Sequence, residues 1–205
     1  MPLVIHPRVR KTVGRIAATT CVALFASTGA ALAACPPQPV STPFSSWGDA
    51  SSYFMVPGGS FEGTADQVGW SLSDASLTTG NAPDTAAGAS GDQSLTIAAG
   101  GSATSPAFCF DSAMPYLRFF ARQTEPGSDL LVEGLVGFRW RTLRIPVAAV
   151  ADGSMPAWAP VQQIALPVRL LPAWARISVQ LRFAVPGDHG AWQVDDVYVD
   201  PFRAG

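Results

Sequence analysis

Outside the first 33 residues, few side chains could carry acid–base, nucleophilic or metal chemistry. They are one histidine (His189), three glutamates (Glu62, Glu125 and Glu133), a set of aspartates and two cysteines (Cys35 and Cys109). A serine–histidine–aspartate triad would have to use His189. That residue sits in Pro-Gly-Asp-His-Gly, the composition of a turn between strands, and no Gly-x-Ser-x-Gly elbow accompanies it. One imidazole and two cysteines that are expected to be oxidised cannot build a zinc site. No spacing singles out two of the glutamates as a glycosidase pair, and no glycine-rich phosphate loop is present. The sequence therefore predicts no catalytic residue and no enzyme.

The cysteines follow from compartment. Residues 1–33 read as a cleaved signal peptide: a basic stretch (Arg8, Arg10, Lys11, Arg15), a short apolar run, then Ala31-Leu32-Ala33. No later run reaches the roughly 18 apolar residues of a spanning helix. Export to an oxidising compartment predicts a Cys35–Cys109 disulfide. The alternative is a lipobox, Leu32-Ala33-Ala34-Cys35, which would anchor the protein through Cys35 and leave Cys109 as a lone thiol. The stiff Pro36-Pro37 that follows suits a lipid tether poorly, so the expectation is a secreted, extracellular protein. Beyond the leader, nine arginines stand against 15 acidic residues, a net of −6. That balance argues against nucleic acid or an anionic membrane surface as partner.

The elements that must position these residues are strands. A Pro-rich lead-in strap (34–52) precedes a single domain (53–203) of short apolar runs broken by Gly, Pro, Ser and Asp. In 176–185, Ile177, Val179, Leu181, Phe183 and Val185 share one face, with Arg176, Ser178, Gln180 and Arg182 on the other. Residues 116–123 and 192–200 are similar in kind. Residues 94–100 and 130–140 are further strands, and 78–93 is a long polar loop. Glu62 falls in what reads as the first strand, after Gly58-Gly59. Asp195 shares alternation parity with Val197 and Val199, which places it on the side to be buried. The predicted fold is an all-β, antiparallel β-sandwich with negligible helix beyond the signal.

Two stretches carry a resemblance. Pro57-Gly58-Gly59-Ser60-Phe61-Glu62-Gly63 with Gly69-Trp70, and the closing Trp192–Asp200, resemble the first and last strands of jelly-roll carbohydrate-binding modules of the family 4/9 type, which are galactose-binding-like in fold. The chain is also similar, over nearly its whole exported length, to small uncharacterised secreted actinobacterial proteins. The shared features there are Trp47-Gly48-Asp49, the 118–122 stretch and the 195–201 stretch. The second resemblance implies no function. The first implies a structural calcium held by Glu62 and Asp195, since two carboxylates about 4 Å apart repel by about 4 kcal/mol at an effective dielectric near 20 and need a counter-charge. An arginine, Arg182 or Arg203, is the alternative counter-charge.

Two partner classes follow. A glycan of a cell wall or extracellular polysaccharide would stack on exposed tryptophan, with Trp140 and Trp174 as candidates beside Arg139, Arg141 and Arg176. Trp70, Trp158 and Trp192 sit where strands begin and are expected to pack. A structural or interaction protein of the cell envelope would instead use a sheet face such as Arg118, Phe120 and Arg122.

Overall fold

The computed structural model describes residues 35–36, 38–82, 91–138, 140–167, 171–172 and 175–200. The expected signal peptide, Trp174 and Arg203 lie outside them. Among the described residues eleven strands form: β1 (Phe54–Met55), β2 (Ser71–Thr79), β3 (Gln93–Thr104), β4 (Phe108–Asp111), β5 (Tyr116–Glu125), β6 (Leu130–Phe138), β7 (Arg141–Val150), β8 (Ala159–Pro160), β9 (Ile164–Ala165), β10 (Arg176–Ala184) and β11 (Ala191–Asp200). Every pairing is antiparallel. Among the described residues, helix is confined to one turn, α1 (Ala65–Val68), and a 3-10 turn at Ser45–Trp47.

Strand β3 turns one hydrogen-bonded network into two layers. Its first half, Leu95–Ile97, pairs with Trp192–Val194 of β11, and its second half, Ser102–Thr104, pairs with Arg182–Ala184 of β10. The bend falls at Gly100-Gly101. Gly100 has φ +72°, and a Cβ on Gly101 would lie 2.4 Å from the Asp74 carbonyl oxygen. Strand β2 bulges opposite, with Asp74 at φ +46°. The front sheet runs β2-β3-β11-β5-β8/β9, and the back sheet runs β2-β3-β10-β6-β7. β1 adds to the far end of β11, and β4 to the far end of β10. The chain crosses from front to back between β5 and β6, and from back to front between β10 and β11. This is the predicted jelly-roll sandwich.

The core lies between the sheets. Leu95, Ile97, Leu117, Phe119 and Trp192 from the front meet Val132, Val179, Leu181 and Phe183 from the back. The Phe119 and Phe183 rings pack edge to face at 4.9 Å. The alternation read in β10 holds: Val179, Leu181 and Phe183 are buried, and Val185 beyond the strand is buried with them.

Two local expectations are overturned. Residues 56–70 are not a strand. Gly58 has φ +67°, and a Cβ there would lie 2.0 Å from the Val68 carbonyl oxygen, so the chain must turn. Thr64 and Gln67 then form a capping box that starts α1. The loop is fastened to β11 by Val56 N–H donating to Val197 O (2.9 Å) and Val197 N–H donating to Gly59 O (3.0 Å). Asp195, in turn, does not share a face with Val197 and Val199. A bulge lies between Asp195 and Tyr198, with Asp196 at φ +47°, and it reverses the parity. Val194 pairs with Ala121 on the core side, whereas Asp195 pairs with Phe120 on the outer side.

Candidate functional site

Asp195 is buried on that outer face because the lead-in strap and residues 80–82 lie over it. The disulfide Cys35–Cys109 forms, with Cα atoms 5.4 Å apart, and ties the start of the strap to β4 of the back sheet. The strap then folds on itself, Ser41 bridging Tyr53, and lays Phe44 over the front sheet. Phe44 stacks on Phe120 at 5.4 Å and meets Tyr53 and Tyr198 edge-on. Trp47 packs against Phe120 from the side at 5.2 Å.

Charge closes this clasp. Arg118 is buried, its guanidinium 4.3 Å above the Phe44 ring, and donates to Asp49 Oδ2 at 2.6 Å and to the Val161 carbonyl at 2.9 Å. Tyr53 and Gln163 donate to the same Asp49 oxygen. Burial opposes ionisation, but hydrogen bonds from Tyr53, Ser51 and Arg118 hold the Asp49 carboxyl below its ordinary range. Burial, then the hydrogen bond to Asp49, pushes the Tyr53 hydroxyl up to about 12. Trp47-Gly48-Asp49 and Arg118–Arg122 thus meet in space. Of the face that Arg118, Phe120 and Arg122 were expected to offer a partner, the Arg118 and Phe120 part is occupied by the protein itself, and Arg122 stays half-buried beside it. The sequence hid this because an arginine within a strand reads as a solvent face.

Glu62 and Asp195 meet at one loop. Asp195 Oδ2 accepts from Ala82 N–H (2.9 Å), and Glu62 Oε1 accepts from Gln93 N–H (3.1 Å), so the two carboxylates hold the two ends of the 82–93 connection. Asn81 Nδ2 donates to Gly91 O, and Gly80 N–H donates to Asp92 O, completing the loop base. A Cβ on Gly91 would fall 2.2 Å from Glu62 Oε1, so this glycine leaves room for the carboxylate. Burial, then the charges of Asp196 and Glu62, push the Asp195 carboxyl up to about 8, against the lowering by its two backbone hydrogen bonds. Arg182, one expected counter-charge, instead pairs with Glu133 at 2.5 Å. Among the described residues, no salt bridge reaches Glu62 or Asp195, and no cluster of three or more acids, histidines or cysteines has a metal-holding arrangement. Both carboxylates keep lone pairs beyond the backbone N–H bonds that they accept, and carboxylate oxygen is the donor type that a hard cation takes. The buried Tyr198 hydroxyl, which has no hydrogen-bond partner among the described residues and feels the charges of Asp196 and Asp195, is a further oxygen nearby.

The tryptophans divide as expected where they are described. Trp70 and Trp192 are in the core, and Trp158 lies beneath Arg122 at 5.1 Å. Trp140, at the β6–β7 turn, is 79% exposed. The sequence did not single out a polar row across the front sheet. Arg122 Nε donates to Gln193 Oε1 (2.5 Å), and Gln193 Nε2 donates to Thr78 and Thr96 (3.2 and 3.0 Å). Four neighbouring strands contribute one residue each, so only their pairing reveals it. His189 is exposed in the β10–β11 turn, as its context predicts.

No protein-family model and no curated protein sequence matches the chain. Its trace is similar to solved carbohydrate-binding modules. The CBM22-1 xylan-binding domain from Paenibacillus barcinonensis Xyn10C shares 15% identity, over 71% of this chain and 93% of that one, with a TM-score of 0.47. The family 11 module of the cellulosomal cellulase Lic26A-Cel5E of Clostridium thermocellum shares 11%, over 75% and 96%, with a TM-score of 0.41. A family 16 carbohydrate-binding module shares 13%, over 67% and 95%, with a TM-score of 0.41. These are likenesses of fold alone, and the functional reading below stands on the residues of this chain.

Proposed function

We propose that this protein is an exported, non-catalytic glycan-binding β-sandwich, with a calcium-strengthened loop base at Glu62 and Asp195. The observation that carries the reading is Trp140. A tryptophan 79% exposed at a hairpin turn leaves a wide apolar ring in water, and the face of a sugar ring is a flat apolar surface that covers it. Arg141 beside it supplies hydrogen-bond donors for hydroxyl groups. Trp174 remains part of the proposal by its sequence position. The front-sheet row of Thr78, Thr96, Gln193 and Arg122 is a second location for the same ligand class, because it offers amide, hydroxyl and guanidinium groups on one face.

The experiment is affinity electrophoresis against a panel of soluble plant and bacterial polysaccharides, followed by titration with the best binder. Trp140→Ala should weaken binding at least tenfold while the melting temperature stays put. A loss on Gln193→Ala with Trp140→Ala unaffected moves the site to the front sheet. Retardation by no polysaccharide in the panel rejects the glycan reading and favours an envelope protein as partner.

A further inference from the structure

The back sheet carries an opening that glycan binding does not use. Where β6, β7, β10 and β4 lie side by side, the described residues leave an apolar cleft of about 170 Å³. Its walls include Phe108, Val136, Leu143, Ile145, Val179 and Leu166, and Gln180 is the one polar residue among the described lining. Apolar cavities of about 150 Å³ stay dry and take up small apolar molecules.

Two further observations tie this cleft to a ligand. The first is Gly134, which pairs with Leu181 on one side and Ile145 on the other and so sits in the inward row. A Cβ there would meet only Val147 Cγ2 at 3.8 Å and the Ile145 carbonyl at 4.0 Å. No turn or positive φ demands glycine at this strand position, and a Cβ would fit with ordinary contacts, so the missing side chain contributes to the space. The second is the mouth. Along β7, Arg141, Leu143 and Ile145 share one parity and pair in turn with Phe138, Val136 and Gly134. Leu143 is 48% exposed at the rim, and Arg141 is exposed one step beyond it, with no carboxylate partner among the described residues. An apolar slot with an exposed arginine one step beyond its rim on the same strand, without a carboxylate partner among the described residues, is complementary to one kind of molecule.

We infer that this cleft binds a single-chain amphiphile with an anionic headgroup, the alkyl chain lying over Gly134 and the headgroup meeting Arg141. The inference shares Arg141 with the glycan reading but uses neither Trp140 nor the front-sheet row, so Trp140→Ala should leave decanoate binding unchanged.

The test is isothermal titration of the full exported chain with decanoate, with decanol as the uncharged comparison. Wild-type protein should bind decanoate saturably at one site and decanol more weakly. Gly134→Leu should fill the slot and weaken binding at least tenfold with an unchanged circular dichroism spectrum. If that variant fails to fold, Leu143→Asp at the exposed rim serves in its place, with the same expected loss. Arg141→Gln should weaken decanoate by about threefold, the scale of an exposed ion pair, and leave decanol unchanged. The inference is overturned by absence of saturable decanoate binding, the result if the chain's own residues fill the slot. Decanol binding as tightly as decanoate, or the slot-filling or rim variant binding like wild type, would overturn it as well.

Discussion

The front and back sheets use similar residues to opposite ends. Leu117–Arg122 of β5 and Arg141–Ile145 of β7 both mix arginine with large apolar side chains. In β5 both faces are buried: Leu117, Phe119 and Ala121 point into the core, while Arg118 and Phe120 lie under the strap. In β7, an edge strand, Arg141 to Arg144 are all exposed. The difference lies not in the strands but in what covers them. Asp49 and Phe44 reach β5 and give Arg118 a counter-charge and an aromatic face, which makes burying a guanidinium tolerable. No segment among the described residues does the same for β7. Structural arginines and candidate binding arginines are therefore told apart by their cover.

The largest test of this contrast is a pair of truncations. Phe120→Ala should cost about 3–5 kcal/mol, as for any core phenylalanine, although it points away from the main core. Leu143→Ala, half exposed, should cost less than about 1 kcal/mol. Urea denaturation of both variants measures the gap, and equal costs would mean that the strap is not a true cover.

Next in size is the tether. Replacing Cys35 and Cys109 by serine opens a span of 74 residues and should cost about 2–4 kcal/mol. Intact-mass measurement on secreted protein should find no free thiol and no lipid adduct, and thermal melting with and without reductant reads the stability.

Smaller still is the loop base. The Asp195 carboxyl, ordinarily at 3.8, is raised to about 8 in the folded protein. The folded state therefore keeps a proton that the unfolded chain releases. The stabilising contribution is full below about pH 4 and is lost as the pH rises towards 8. With chelator present, the melting temperature should fall over that window. Calcium with a dissociation constant of about 0.1–1 mM, at 1 mM free ion, should restore about 0.4–1.4 kcal/mol near neutral pH. Glu62→Gln should abolish the calcium response. A melting curve indifferent to chelator would leave Glu62 and Asp195 as hydrogen-bonding clamps for the loop.

The smallest expected effect is Trp140→Ala on stability, within about 0.5 kcal/mol, while the proposed glycan binding should weaken at least tenfold. A large destabilisation would place Trp140 with the covered side of the comparison.

Much of the architecture was legible because it depends on local pattern. Alternation in Ile177–Val185 gave β10 its faces, and Pro and Gly ruled out long helices. The disulfide followed from an even pair of cysteines in a chain expected to be exported. Alternation failed where two residues oppose one. The bulge at Asp196 costs nothing visible in composition, yet it turned Asp195 away from Val197 and Val199. The opening stretch misled for a related reason: its glycines were read as a turn before a strand, whereas Gly58 and the Thr64–Gln67 box make the whole segment a loop with one helical turn.

By itself, then, the sequence determined the all-β class, the Cys35–Cys109 tether, and the types of residue available for binding. Those depend on side-chain period and redox compartment, which are properties of short stretches. Only the tertiary structure decided that Arg118 is buried and Arg141 is not, that Glu62 and Asp195 hold one loop, and that Gly134 opens a slot. Each of these depends on which distant segment lies within a few ångströms, and burial and electrostatics are set by that distance rather than by separation along the chain.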